Sequence, residues 1–172
     1  LRMLEMAHAA HGVRPWAGLF EPAIRLAQDG FPISPRLAAL IARDKYLSLN
    51  ENALQIFFRA YGAPRSAGDI LRNAKLAATL RTIAQNGADA FYTGPIARDI
   101  ATIVREARGN PGLLTTQDLA TYQARSRAPV CRPYRAYRVC GMPPPASGGV
   151  TALEILGVLG KFDLGILAPG AV

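Results

Sequence analysis

Tyr134-Arg135-Ala136-Tyr137-Arg138-Val139-Cys140-Gly141-Met142-Pro143-Pro144-Pro145-Ala146-Ser147-Gly148-Gly149 puts three local instructions side by side. Its first half completes a hairpin that starts at Val130, the one part of the chain that reads as strand. Proline fixes φ and removes the amide donor, so Pro143 to Pro145 are expected to be extended and outside any helix or central strand. Ser147-Gly148-Gly149 then offers a cap and a permissive backbone to an apolar helix from about Val150 to Gly160. The expectation is a stiff strand exit that aims a helix N-terminus.

With Arg135-Ala136 as a two-residue turn, the facing pairs are 134/137, 133/138, 132/139 and 131/140. Cys131 and Cys140, the chain's two cysteines, then meet at a non-hydrogen-bonded position where Cα atoms approach closely. That spacing is compatible with a disulfide. Arg-Ala is a poor type I′ turn, so two small buried thiols stay open as the alternative. A zinc site needs more ligands than this pair supplies.

Outward from the hairpin the pattern is helical. Leu1 to His11 carries Leu1, Leu4, and Ala7 or His8 on one stripe and ends at Gly12. A helix from about Leu19 to Asp29 tolerates Pro22 in its first turn and breaks at Gly30-Phe31-Pro32. Ser34-Pro35 caps a helix to about Tyr46. Asn50 opens another to Tyr61, with Leu54, Phe57, Phe58 and Tyr61 as its apolar face, closed by Gly62-Ala63-Pro64. Ala74 to Asn86 is amphipathic and meets a natural C′ residue in Gly87. Ala88 to Tyr92 adds a turn or two. Ile96, Ile100, Ile103 and Val104 carry a helix to Gly109, and Thr116 to Tyr122 is short, capped by Thr115 or Thr116. No fixed-period repeat emerges. The fold class is mainly α with one β-hairpin.

The chain has 172 residues, 50% of them hydrophobic, enough for an ordinary core. No apolar run reaches the roughly eighteen residues of a membrane span. Net charge is +8, carried almost wholly by arginine. No basic run exceeds two residues and no aromatics interleave with the arginines, so nucleic acid is not the expected partner. Leu1 opens directly on a helical pattern, without an initiator methionine or signal peptide. The expectation is a single partial domain, 1–172, of a longer protein.

Candidate sites are sparse. His8 and His11 are spaced to chelate a metal but have no third ligand nearby, so a capping or core-edge role fits better. Asp118 beside Thr115 and Thr116 could suggest a nucleophile and base, but an acid in the first helical turn fits capping. The Ser147-Gly148-Gly149 loop could hold an anion at a helix N-terminus, although plain capping is the more economical account. No catalytic, cofactor-binding or metal-binding residue is assigned, and no cofactor is implied.

A set of motifs adds a second line of inference. The Met142 to Gly149 segment resembles the Met-Pro-Pro-Pro-Ser-Ser-Gly-Gly signature of the γ-glutamyltranspeptidase family, departing from it at Ala146. Pro15-Trp16, Pro22-Ala23-Ile24, Leu26-Ala27 and Gly30-Phe31 resemble a further block. Gly68-Asp69, Leu76-Ala77, Thr79-Leu80, Ile83-Ala84 and Gly87 resemble another. Asp89-Ala90-Phe91-Tyr92, Gly94 and Ile96-Ala97 match a third, and Leu114-Thr115, Asp118-Leu119-Ala120 and Tyr122 a fourth. The blocks come in family order across nearly the whole chain.

The resemblance implies the helical part of the large subunit of an αββα N-terminal-nucleophile hydrolase. The parent enzyme would move γ-glutamyl groups from glutathione or related donors to water or an amino acid through an acyl-enzyme. Its nucleophile would be the threonine that opens a small subunit after autocatalytic cleavage. Thr115-Thr116 is followed by Gln117-Asp118-Leu119-Ala120, the large subunit's internal block, so neither threonine is that nucleophile. The family's carboxylate-binding arginine falls upstream of Leu1 and its oxyanion hole in the small subunit, which is the implied partner. A periplasmic or secreted setting is implied as well. A cephalosporin-acylase-like or poly-γ-glutamate-cleaving relative is the alternative within the superfamily, and a non-catalytic helical interaction module the alternative outside it. The chain alone is expected to be inactive. Unshielded stripes on Ile96 to Val104 or Val150 to Leu159 are expected to favour pairing of two copies.

Overall fold

The computed structural model describes residues 1–168 and 170; the expected partial domain's last positions, Pro169, Ala171 and Val172, lie outside the described residues. The chain forms two compact units, 1–124 and 125–172. The first is helical: α1 (Arg2–His11), α2 (Glu21–Asp29), α3 (Pro35–Arg43), α4 (Glu51–Phe57), α5 (Ala74–Asn86), α6 (Asp89–Tyr92), α7 (Gly94–Arg105) and α8 (Thr116–Ala120). The second holds β3 (Val130–Tyr134), β4 (Tyr137–Gly141) and α9 (Gly148–Leu159). Among the described residues no helix is long and apolar enough to cross a membrane.

Local chemistry sets the helix starts. Ser34 Oγ accepts from the Leu37 amide at 3.1 Å, Asn50 Oδ1 from Ala53 at 2.9 Å and Asn73 Oδ1 from Leu76 at 2.9 Å, each quenching an orphan donor of a first turn. Pro22 sits in the first turn of α2 as its fixed φ requires. Gly87 stops α5 at φ 77°. Gly12 ends α1 with an extended backbone instead of a left-handed one.

Two helices stop short of their apolar pattern. The helix expected to reach Tyr46 ends at Arg43, because Asp44 Oδ1 accepts from the Tyr46 and Leu47 amides, both at 2.8 Å, a local turn that competes with helical bonding. The helix expected to reach Tyr61 ends at Phe57. Phe58 turns extended and bridges to Pro64, and Tyr61 sits at φ 68° with its side chain fully in solvent. Tyr61 is therefore off the apolar face; Phe58 alone of that set is buried. The helix expected to reach Gly109 likewise ends at Arg105.

Strand content is larger than the single expected hairpin. β1 (Phe31–Pro32) pairs antiparallel with β2 (Ile70–Leu71), and Ile33 extends the seam through bonds from its amide to Asp69 O and from Gly68 N to its carbonyl, both 2.8 Å. Gly30 makes the approach possible: it sits at φ 91°, and a Cβ there would meet Ile70 Cγ2 at 2.5 Å. This seam brings Ile33 and Leu71 onto Ile41 and Phe58, the buried apolar cluster of the first unit. Elsewhere in that unit small side chains fill the helix contacts, with Ala77, Ala88 and Ala97 essentially sealed. Trp16 Nε1 donates to Ile83 O at 3.2 Å, tying the turn before α2 onto α5.

In the second unit the register is Val130↔Gly141, Cys131↔Cys140, Arg132↔Val139, Pro133↔Arg138 and Tyr134↔Tyr137. Arg135 supplies the turn's left-handed residue at φ 53°. Cys131 and Cys140 are disulfide-bonded with Cα atoms 4.1 Å apart, the close approach of a non-hydrogen-bonded pair. One face of the hairpin packs against α9, which buries Leu153.

Candidate functional site

The proline loop is built differently from its sequence reading. Pro143 to Pro145 do not run extended: the Pro144-Pro145 bond is cis, and the Ala146 amide closes a turn onto Pro143 O at 3.2 Å. Ser147 precedes α9 in a helical conformation and its side chain makes no capping bond; its carbonyl accepts from Thr151 N at 2.9 Å. The two flanking glycines explain the motif. A Cβ on Gly149 would lie 2.7 Å from Met142 N and 2.8 Å from Gly141 C, and one on Gly141 would lie 2.5 Å from Gly149 Cα. The first turn of α9 thus presses directly on the end of β4, a contact only side-chain-free residues permit. A Cβ on Gly148 would meet nothing within 4 Å. The loop is a backbone crossing.

Thr115 and Asp118 form a reciprocal cap on α8. Asp118 Oδ2 accepts from the Thr115 amide at 2.8 Å and from its hydroxyl at 2.6 Å, and Thr115 Oγ1 accepts from the Asp118 amide at 3.1 Å. The Thr115 hydroxyl bond, then the amide bond, holds the Asp118 carboxyl below its ordinary pKa. A hydroxyl whose proton is committed to its own cap, on a residue whose nitrogen is in a peptide bond, cannot act as a self-activated nucleophile. The expected capping role of Asp118 holds.

Beside that cap α7 and α8 frame an open cleft of about 530 Å³, lined by Arg98, Ala101, Thr102, Arg105, Glu106 and the two threonines. Its arginines are seven residues apart on one face of α7, a helical spacing visible in the sequence but not drawn out from it. A second open cleft of about 670 Å³ has Asn52, Lys75, Thr79 and Asp99 among its lining residues.

A polar cluster around Arg2 in the first unit is architectural. Arg2 places one guanidinium nitrogen 2.6 Å from Glu5 and the other 2.6 Å from Asp89, with the cation 4.8 Å from the Tyr92 ring centroid. Asp89 first, then Glu5, raises the Arg2 pKa. The Arg2 amide donates to Tyr92 Oη at 3.0 Å and Glu5 Oε1 accepts from Ala88 N at 3.0 Å, so α1 is clamped to α6. His8 bonds through Nε2 to Arg14 O at 2.7 Å and stacks edge-on against Trp16. His8 thus takes the core-edge role, whereas His11 is exposed, and no group of three metal-ligating side chains occurs among the described residues.

The family model described as gamma-glutamyltranspeptidase matches residues 1–170. The glutathione hydrolase proenzyme of Escherichia coli K12 is 42% identical over 156 residues, covering 90% of this chain and 26% of the relative. Among solved structures, the Helicobacter pylori gamma-glutamyltranspeptidase superposes with a TM-score of 0.89 at 33% identity, covering 97% of this chain and 47% of that one. Cephalosporin acylase from Bacillus halodurans gives 0.78 at 32% identity, covering 92% of this chain and 30% of that one. The chain spans about a quarter of the length of the curated relatives it matches.

Proposed function

The chain belongs to the γ-glutamyltranspeptidase family, and from that premise we propose that it is part of the large subunit of an enzyme that transfers or hydrolyses γ-glutamyl groups of glutathione and related donors. The match along residues 1–170 is the observation that carries this reading. The chain's part is scaffolding: its helices and its glycine crossing set the frame. The N-terminal nucleophile comes from a small subunit released from the same precursor, as the name proenzyme suggests for the Escherichia coli relative. Residues 1–172 form part of one larger domain completed by that partner, in a periplasmic or secreted protein. The cephalosporin acylase likeness keeps an amide-cleaving acylase as the second reading.

A γ-glutamyl-anilide assay tests the proposal. The complete precursor should release the anilide, and the purified 1–172 chain should stay at background. Turnover by the chain alone that disappears in a Thr116→Ala variant would refute the assignment of the nucleophile to the partner. A complete precursor that cleaves only cephalosporin-type amides would replace the substrate class.

A further inference from the structure

From Arg125 to Leu153 the sequence contains five arginines (125, 127, 132, 135 and 138) and no aspartate or glutamate. None of the five is in a salt bridge among the described residues. Within this stretch β3 and β4 alternate. Val130, Tyr134, Val139 and Gly141 are half-buried on the side that meets α9, where Tyr134 reaches Gly160. Cys131, Pro133, Arg138 and Cys140 take the other side by the period of two. Cys140 is exposed and Cys131 half-buried, so the disulfide lies on the open face of a hairpin with Arg138 two residues along the same face. Arg135 is occupied over the Tyr134 ring, 5.3 Å from its centroid, and Arg132, one rung from the disulfide, takes the α9 side with Val139, which leaves Arg138 as the guanidinium nearest the sulfurs on their own face.

We propose that the Cys131–Cys140 disulfide is a thiol–disulfide exchange site selective for anionic low-molecular-weight thiols. A thiolate attacks the exposed Cys140 Sγ; a bond forms between the two, the Sγ–Sγ bond breaks, and its electron pair leaves on Cys131 Sγ, which takes a proton from water. A second thiolate attacks the sulfur of the captured thiol, forms the small-molecule disulfide and releases Cys140 as a thiolate. Two thiols are oxidised and one protein disulfide is reduced, so electrons balance. The arginine field raises the local concentration of a negatively charged thiol and stabilises both departing thiolates. The inference is independent of the γ-glutamyl reading and holds whether or not the parent protein hydrolyses glutathione.

The test uses the oxidised chain at neutral pH with glutathione, which is anionic, and cysteamine, which is cationic. Each rate is normalised to the same thiol's rate on a small neutral disulfide. At low salt the normalised glutathione rate should exceed that of cysteamine by about tenfold, and the ratio should approach one near 1 M salt, where the Debye length is about 3 Å. Arg138→Gln should reduce the ratio severalfold, whereas Arg132→Gln, on the side of the hairpin that meets α9, should reduce it less. Peptide mass mapping of the quenched reaction should place the glutathione adduct on Cys140. Equal normalised rates, an unchanged ratio in Arg138→Gln, an adduct on Cys131, or a disulfide that opens only as fast as the chain unfolds would each overturn the proposal.

Discussion

The cluster of Ile33, Ile41, Phe58 and Leu71 and the hairpin of β3 and β4 with α9 are held together by different physics. In the first, residues 38 positions apart in sequence meet through complete burial of branched and aromatic side chains. In the second, Leu153 is the one hydrophobic residue fully buried among those described, and the order comes from strand pairing, a cross-strand disulfide and a backbone-to-backbone crossing of two glycines. A region held by burial fails when volume is removed. A region held by close backbone approach fails when volume is added.

Removal should do the greater damage. Phe58→Ala empties a site in the cluster that is 8% exposed, and should cost about 3–5 kcal/mol. The chain has a single tryptophan, Trp16, in the same unit, so denaturant unfolding followed by its fluorescence reads the loss. A shift below about 1 kcal/mol would mean that the cluster is not a cooperative core. The same substitution should leave the Cys131–Cys140 disulfide formed.

Addition should matter in the hairpin unit. Gly149→Ala inserts a methyl 2.7 Å from Met142 N and should destabilise that unit by about 1–3 kcal/mol through overpacking. Gly148→Ala places its methyl in open space and should be neutral or stabilising by less than about 1 kcal/mol. Hydrogen exchange at the Thr151 amide, bonded to Ser147 O, separates the two. If both variants exchange alike, the glycine crossing is not what holds α9 to the strand.

The contrast also separates what was legible in the sequence from what was not. The hairpin register followed from reading Arg135-Ala136 as a two-residue turn, which set the two cysteines opposite each other, and α5 was legible from its amphipathic spacing and Gly87, signals confined to a few neighbouring residues. The β1–β2 seam was invisible, since two-residue strands have no alternation to read and their partners are 38 and 40 residues apart. Asp44 and Phe58 ended their helices early through bonds that outcompeted an unbroken apolar pattern. The glycines of the proline motif were recognisable as a motif, but their reason, the strand end lying against the helix start, exists only in three dimensions.

The smallest loss of stability is expected at the α8 cap, which neither burial nor close backbone approach explains. Thr115→Ala removes the oxygen that accepts from the Asp118 amide and should cost about 1 kcal/mol, read as a lower unfolding midpoint of the Trp16 signal. Thr115 also holds the Asp118 carboxyl below its ordinary pKa, which fixes the sign of a pH effect. A carboxyl with a depressed folded pKa contributes stability that is present above its unfolded pKa of about 3.9 and is lost as pH falls through the folded value. The Asp69 carboxyl is depressed in the same direction, by the Ser66 amide first and then Arg59, so the wild-type chain loses stability on acidification through both groups. In Thr115→Ala the part of the Asp118 share that comes from the hydroxyl should vanish, while the part that comes from the residue 115 amide and the Asp69 share remain. The difference in stability between wild type and variant should therefore shrink as pH falls from neutrality to about 3. A difference that stayed constant across that range would mean that the Asp118 carboxylate gains nothing from the Thr115 hydroxyl, and that the hydroxyl acts only by accepting from the helix amide.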